Sequence, residues 1–113
     1  MRKIERQMNK AIATLESGKF WKSANTSVVN ADGILVVQLH GNKIAEVGDN
    51  FIRLFDGGWQ SNTTKSRLNA ILAENGLPGE SVFQKNFEWF VNMNGTTIPF
   101  FSGMRLNWWL PRR

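Results

Sequence analysis

The chain contains no cysteine and no tyrosine, a single histidine and only three prolines in 113 residues. Without thiols there is no disulfide framework, no thiolate metal site and no cysteine nucleophile. His40 cannot build a metal centre alone, and it has few acids to draw on: Asp32, Asp49, Asp56 and six glutamates. No apolar run approaches the ~18–20 residues that a membrane-spanning helix needs. The basic start Met1-Arg2-Lys3-Ile4-Glu5-Arg6 is not followed by the apolar stretch of a signal peptide. The pair Gly57-Gly58 lacks the spacing of a phosphate-binding P-loop. These absences argue against an enzyme and a membrane protein. They favour the cytosol and leave binding, without metal or cofactor, as the expected activity. Glu46, Glu88 and His40 stay open only as cryptic acid–base groups.

What is present is apolar and basic. Hydrophobic residues make up 42% of the chain and charged ones 20%, the balance of a globular protein. Five Trp and eight Phe give a short chain much area to bury. Length allows one domain over residues 1–113, with 104–113 a candidate extended tail. The net charge of +5 favours polyanions as partners. Positive charge falls in three blocks: Arg2, Lys3, Arg6, Lys10, Lys19 and Lys22 against Glu5 and Glu16; Lys65 and Arg67; and Arg105, Arg112 and Arg113.

The periodicity predicts an α+β fold. Ile4, Met8, Ala11, Ile12 and Leu15 form one apolar stripe of a helix over residues 3–16, with charges on its other side. Gly18 is the expected left-handed stop. The period then becomes two. Strands over 26–30, 34–40, 44–47 and 51–55, separated by Asn30-Ala31-Asp32-Gly33, Gly41-Asn42 and Gly48-Asp49-Asn50, read as a four-stranded antiparallel meander. Asp56-Gly57-Gly58-Trp59 turns into a second helix that starts within Ser61-Asn62-Thr63-Thr64. Leu68, Ala70, Ile71, Leu72 and Ala73 supply its apolar face, and Asn75-Gly76-Leu77-Pro78 ends it, with Gly76 left-handed. Residues 81–83 and 87–93 are β-like, and Asn94-Gly95 closes a C-terminal β-hairpin with 96–101.

With these segments in view, the chain resembles a group of small accessory proteins of tailed bacteriophages, especially podovirus-type phages of marine bacteria. The resemblance rests on Leu39-His40-Gly41-Asn42-Lys43-Ile44-Ala45, Asp56-Gly57-Gly58-Trp59-Gln60-Ser61 and Thr63 through Leu72. Val82-Phe83-Gln84-Lys85-Asn86 and Phe101-Ser102-Gly103-Met104 also fit, so it spans roughly residues 1–106. It implies expression in the cytoplasm of a bacterial host, and it brings no assigned activity with it.

Two groups of residues stand out as candidate sites. The start of the second helix offers Gly57, Gly58, Ser61, Thr63, Thr64, Lys65 and Arg67, basic and hydroxyl-rich where acids are usual. This suits a phosphate, though a capped surface helix with solvated charges explains the same residues. Asp56 could ligate a cation or simply cap its own turn. The second group interleaves aromatics with cations: Lys19-Phe20-Trp21-Lys22, and Arg105 through Trp108, Trp109, Arg112 and Arg113. These could stack bases and hold phosphates together with Lys22 and Arg105. The tail could instead insert its tryptophans into a protein partner, or the aromatics could complete the core. The expected function is therefore nucleic-acid or polyanion binding. The alternative is a modulator of a host or defence protein, acting through the Trp108-Trp109 tail or by self-association. Lys65→Glu with Arg67→Glu is the substitution that separates a site from a turn.

Overall fold

A computed structural model describes residues 1–106. Helix α1 (Lys3–Thr14) leads into strands β1 (Phe20–Ser23), β2 (Thr26–Ala31), β3 (Ile34–Leu39), β4 (Asn42–Val47) and β5 (Ile52–Leu54). Helix α2 (Asn62–Asn75) follows, then β6 (Ser81–Lys85), β7 (Glu88–Met93), β8 (Thr96–Pro99) and β9 (Met104–Leu106). The strands make two antiparallel sheets, one in the order β1-β2-β3-β4-β5-β9 and one in the order β6-β7-β8.

The α+β class stands, and the expected meander is its centre. The large sheet has six strands rather than four, because β1 adds at one edge and β9 at the other. The aromatic-basic segment Phe20–Ser23 alternates outward and inward side chains, as a strand does. Residues 104–106, expected as part of a tail, pair with β5 at Ile52↔Leu106 and Leu54↔Met104 and bury both partners. The C-terminal hairpin β7–β8 is joined by β6 into three strands.

Local corrections have clear causes. α1 ends at Leu15 in an extended conformation. Gly18 (φ +80°) serves the turn into β1, where its N–H donates to Asn30 O at 2.9 Å. The β3–β4 loop is His40-Gly41, one residue earlier than expected, because Leu39 pairs with Asn42. Both loop residues have positive φ, which histidine tolerates better than most residues. A bulge at Val37/Gln38 lets the neighbours Ile44 and Ala45 both face inward, against strict alternation. Gly76 is not left-handed: its φ is −86°. It is glycine because a Cβ there would meet Leu72 O at 2.7 Å and Glu80 Oε1 at 2.6 Å. Phe87 falls in the Asn86-Phe87 turn, not in a strand, at φ +65° and 94% exposed.

One core holds the elements together. Val28, Val37, Leu39, Ala45, Val47, Ile52 and Leu54 form the inner face of the large sheet, over which Met8, Ala11 and Ile12 of α1 and Leu68, Ile71 and Leu72 of α2 pack. Ala73, expected on the buried face, is exposed. The small sheet is pinned to α2 by Asn69, whose Nδ2 donates to Val82 O (2.9 Å) while its Oδ1 accepts from Val82 N (2.7 Å). That side-chain amide completes the backbone pairing of β6 as a neighbouring strand would. Trp89 and Phe100 meet edge-on at 5.3 Å beneath the sheet.

Candidate functional site

The start of α2 is a satisfied cap. Ser61 Oγ accepts from Thr64 N at 3.1 Å and lies 2.9 Å from the Thr64 hydroxyl, itself buried. Asp56 caps its own turn, accepting from Gly58 N at 2.8 Å. Gly57 lies against the β3–β4 hairpin, where a Cβ would come within 3.3 Å of Asn42, so its closeness serves packing. Gly58 faces open space. Thr63 is half-buried, and Lys65 reaches Gln84 of β6 at 3.4 Å.

Arg67 leaves this group altogether. It is 3% exposed and its guanidinium points into the protein. Nη1 donates to Glu5 Oε2 at 2.9 Å, Nε to Thr26 Oγ1 at 3.1 Å and Nη2 to Asn25 Oδ1 at 3.4 Å. Glu5 in turn accepts from Ser66 Oγ (2.6 Å) and from the Arg2 backbone N–H (3.1 Å). Burial alone would push the Glu5 carboxyl up. The hydrogen bonds from Ser66, Arg2 and Arg67, with the charge of Arg67, outweigh it and hold the group below its usual value. This cluster ties α1, α2 and the β1–β2 turn together. It takes Arg67 out of the expected anion site, because a buried, paired arginine cannot receive an external phosphate. Glu5 was expected on the solvent face of α1; a charge partner 62 residues away, Arg67, is what draws it inside.

Four other cations, Lys22, Lys43, Arg53 and Arg105, lie on the outer face of the large sheet. Register places Phe20 and Lys22 (β1), Ser27 and Val29 (β2), Val36 and Gln38 (β3), Glu46 (β4), Arg53 (β5) and Arg105 (β9) on the side away from the helices. Lys22 and Arg105 share this face but mark its opposite edges, about 24 Å apart at ordinary strand spacing. At one end a shallow groove of about 440 Å³ is lined by Phe20, Lys22, Ser27, Val29, Gln38 and His40. Phe20 is 71% exposed there, while its neighbour Trp21 turns inward and packs on the core. At the other end Arg105 stacks over the Phe51 ring at 4.6 Å, with Arg53 on the same ring at 5.7 Å. Lys43 lies over Phe55 at 4.4 Å. Glu46 sits between Lys43 (2.9 Å) and Arg53 (3.2 Å) and is the acid on this face.

Phe51, Arg53, Phe55 and Gln38 were missed from the sequence. The signal was present in Phe51-Ile52-Arg53-Leu54-Phe55, whose alternation puts both rings and the guanidinium on one face. Gly48 supports this end. A Cβ on it would overlap the Phe51 ring, so Gly48→Ala displaces the platform under Arg105. The expected result is an altered environment for the Phe51 ring in aromatic NMR spectra, with a melting midpoint close to that of wild type.

His40 sits at the groove's rim in its turn, with its N–H donating to Asn25 O at 2.7 Å. Glu88 pairs in register with Lys85 at the exposed end of the small sheet. Among the described residues no three His, Asp or Glu are grouped to hold a metal ion, and no helix is long and apolar enough to cross a membrane. Trp108, Trp109, Arg112 and Arg113 lie outside the described residues.

Comparison with known proteins adds one match. A family model described as Kyanoviridae Gp96 protein matches residues 1–107, nearly the span over which the phage resemblance was read. No curated protein and no solved structure matches the chain. The chain therefore belongs to the Kyanoviridae Gp96 protein family, a family of tailed phages.

Proposed function

We propose that the protein binds single-stranded nucleic acid across the outer face of the six-stranded sheet, as a phage accessory protein in the host cytoplasm, and that it is not an enzyme. The observation that carries this reading is the pairing of aromatic and cation at both ends of one face: the exposed Phe20 with Lys22, and the half-buried Phe51 with Arg105 and Arg53. Aromatic faces stack bases irrespective of sequence, and the cations beside them meet phosphates. Gln38 and Ser27 offer hydrogen bonds between the two ends, and they are already joined at 3.3 Å. The strand would run from Lys22 to Arg105, perpendicular to the β-strands, over about four to six nucleotides.

Three or four phosphate contacts predict a slope of about −2 to −3 in log affinity against log salt, or about 15- to 50-fold weaker binding at 200 mM than at 50 mM. Fluorescence anisotropy with labelled oligothymidylate measures this. Lys22→Glu with Arg105→Glu should weaken binding at least about tenfold at low salt and flatten the slope by about two contacts' worth. Lys65→Glu, on the α2 side, should leave both unchanged. Salt-independent binding, or equal damage from Lys65→Glu, overturns the reading.

A further inference from the structure

The three-stranded sheet and the far side of the six-stranded one protect their edges. Asn69 occupies the backbone groups of Val82 on β6, β8 carries Pro99, which has no N–H, and β9 is only three residues long. Among the described residues, strand β1 has no side-chain amide or proline of this kind on its outer main chain. Its pairing with β2 runs Phe20↔Val29, Trp21↔Val28, Lys22↔Ser27 and Ser23↔Thr26, and the next residues out, Lys19 and Asn30, are joined by Asn30 N–H to Lys19 O at 2.9 Å. Opposed residues in an antiparallel pair alternate between hydrogen-bonded and non-hydrogen-bonded. Counting by twos from Lys19, the main chain of Trp21 and Ser23 is engaged with β2, and that of Phe20 and Lys22 points outward.

Beside this edge α1 stops short of covering the inner face. It leaves an open groove of about 500 Å³ between helix and strand, lined by Gln7, Lys10, Thr14, Leu15, Trp21 and Ser23. The half-buried Trp21 and Leu15 give it an apolar floor, and Lys10 and Lys22 flank it with no acid among the lining residues. We infer that β1 and this groove dock an extended acidic segment of a partner protein, which adds as a seventh strand to the large sheet. Main-chain bonds to Phe20 and Lys22 would supply the register, alternate apolar side chains would enter the groove, and the acidic ones between them would face Lys22 on the outer side, with Lys10 adding its positive charge from the groove. Charge selects this occupant over a second copy of the chain. Two β1 edges brought together crowd Lys19 and Lys22 of both copies along one seam, with no acid on either strand to offset them, and like charges gathered at a strand pair are destabilising. Lysine on an edge repels its own kind and attracts an acidic strand.

The probe is a fluorescein-labelled decapeptide of alternating Val and Glu, titrated with the full chain and read by anisotropy. Saturable binding is expected, together with slowed hydrogen exchange of the Phe20 and Lys22 amides. A Val–Lys decapeptide should not bind, and N-methylation of every second peptide residue, in the frame that faces β1, should abolish binding. Lys10→Glu, at an exposed helix position away from the outer face, should weaken the peptide about tenfold while leaving oligothymidylate binding and the melting midpoint intact. No saturable binding, equal binding by both N-methylation frames, or unchanged exchange at Phe20 and Lys22 overturns the proposal. So does a concentration-dependent dimer that protects those same amides, because the edge would then belong to a second copy.

Discussion

Glu5→Ala or Arg67→Ala should each lower stability by about 3–5 kcal/mol, since removing one member of a buried pair strands the other charge without water. At about 4 °C per kcal/mol for a domain of this size, the melting midpoint should fall by roughly 12–20 °C. Calorimetry or thermal circular dichroism measures it. The double variant Glu5→Leu with Arg67→Met should be more stable than either single variant, because no charge is then left unpaired. If the double variant is as unstable as the sum of the two singles, the pair is not the source of the loss. Acid should act through the same group. Glu5 in the unfolded chain titrates near 4.5 and in the folded protein below that value. Its contribution is therefore fully present above the unfolded value and is lost as pH falls through the folded one. Wild type should lose stability steeply in that range, and Glu5→Gln should show a flatter profile there.

This pair also redirects the functional test. Lys65→Glu with Arg67→Glu would set a second carboxylate against Glu5 inside the protein, so its effect would report folding rather than ligand binding. Charge reversals informative about binding belong at Lys22 and Arg105, where the side chains reach solvent.

The second large effect should come from Phe20→Ala. Stacking of a base on an aromatic ring is worth about 1–3 kcal/mol, so affinity for oligothymidylate should fall by about 5- to 150-fold. The salt slope should stay near the wild-type value, because no phosphate contact is removed. Stability should change little, since the ring is already 71% exposed. Phe87→Ala is the matched control: that ring is more exposed still, but it sits in the β6–β7 turn of the other sheet. An equal loss from Phe87→Ala would show that exposed aromatics attract nucleic acid wherever they lie, and the sheet face would lose its claim.

Local patterns carried much of the fold because local physics decides them. The Asp32-Gly33 and Asn94-Gly95 turns, the Ser61 cap and the period-two strands 34–39 and 52–54 follow from backbone preferences within a few residues. Gly76 shows how a right residue can be assigned for the wrong reason: a collision with Leu72 O, not a left-handed dihedral, requires glycine there. The site was less legible. Phe20 with Lys22 could be picked out as an aromatic-basic segment, but nothing local says that β9 returns to β5 and sets Arg105 on the same face.

The basic, thiol-free composition, the two helices and the antiparallel meander were determined by the sequence itself, because charge is a sum and turns and periodicity are short-range. Which cations are free to bind was decided only by tertiary structure. Arg67 and Arg105 look equivalent along the chain. A contact 62 residues back, to Glu5, buries the first, and the pairing of the last strand with β5 holds the second over Phe51 in solvent. The cost of burying a charge depends on the partner that folding brings to it, and that partner is remote in sequence.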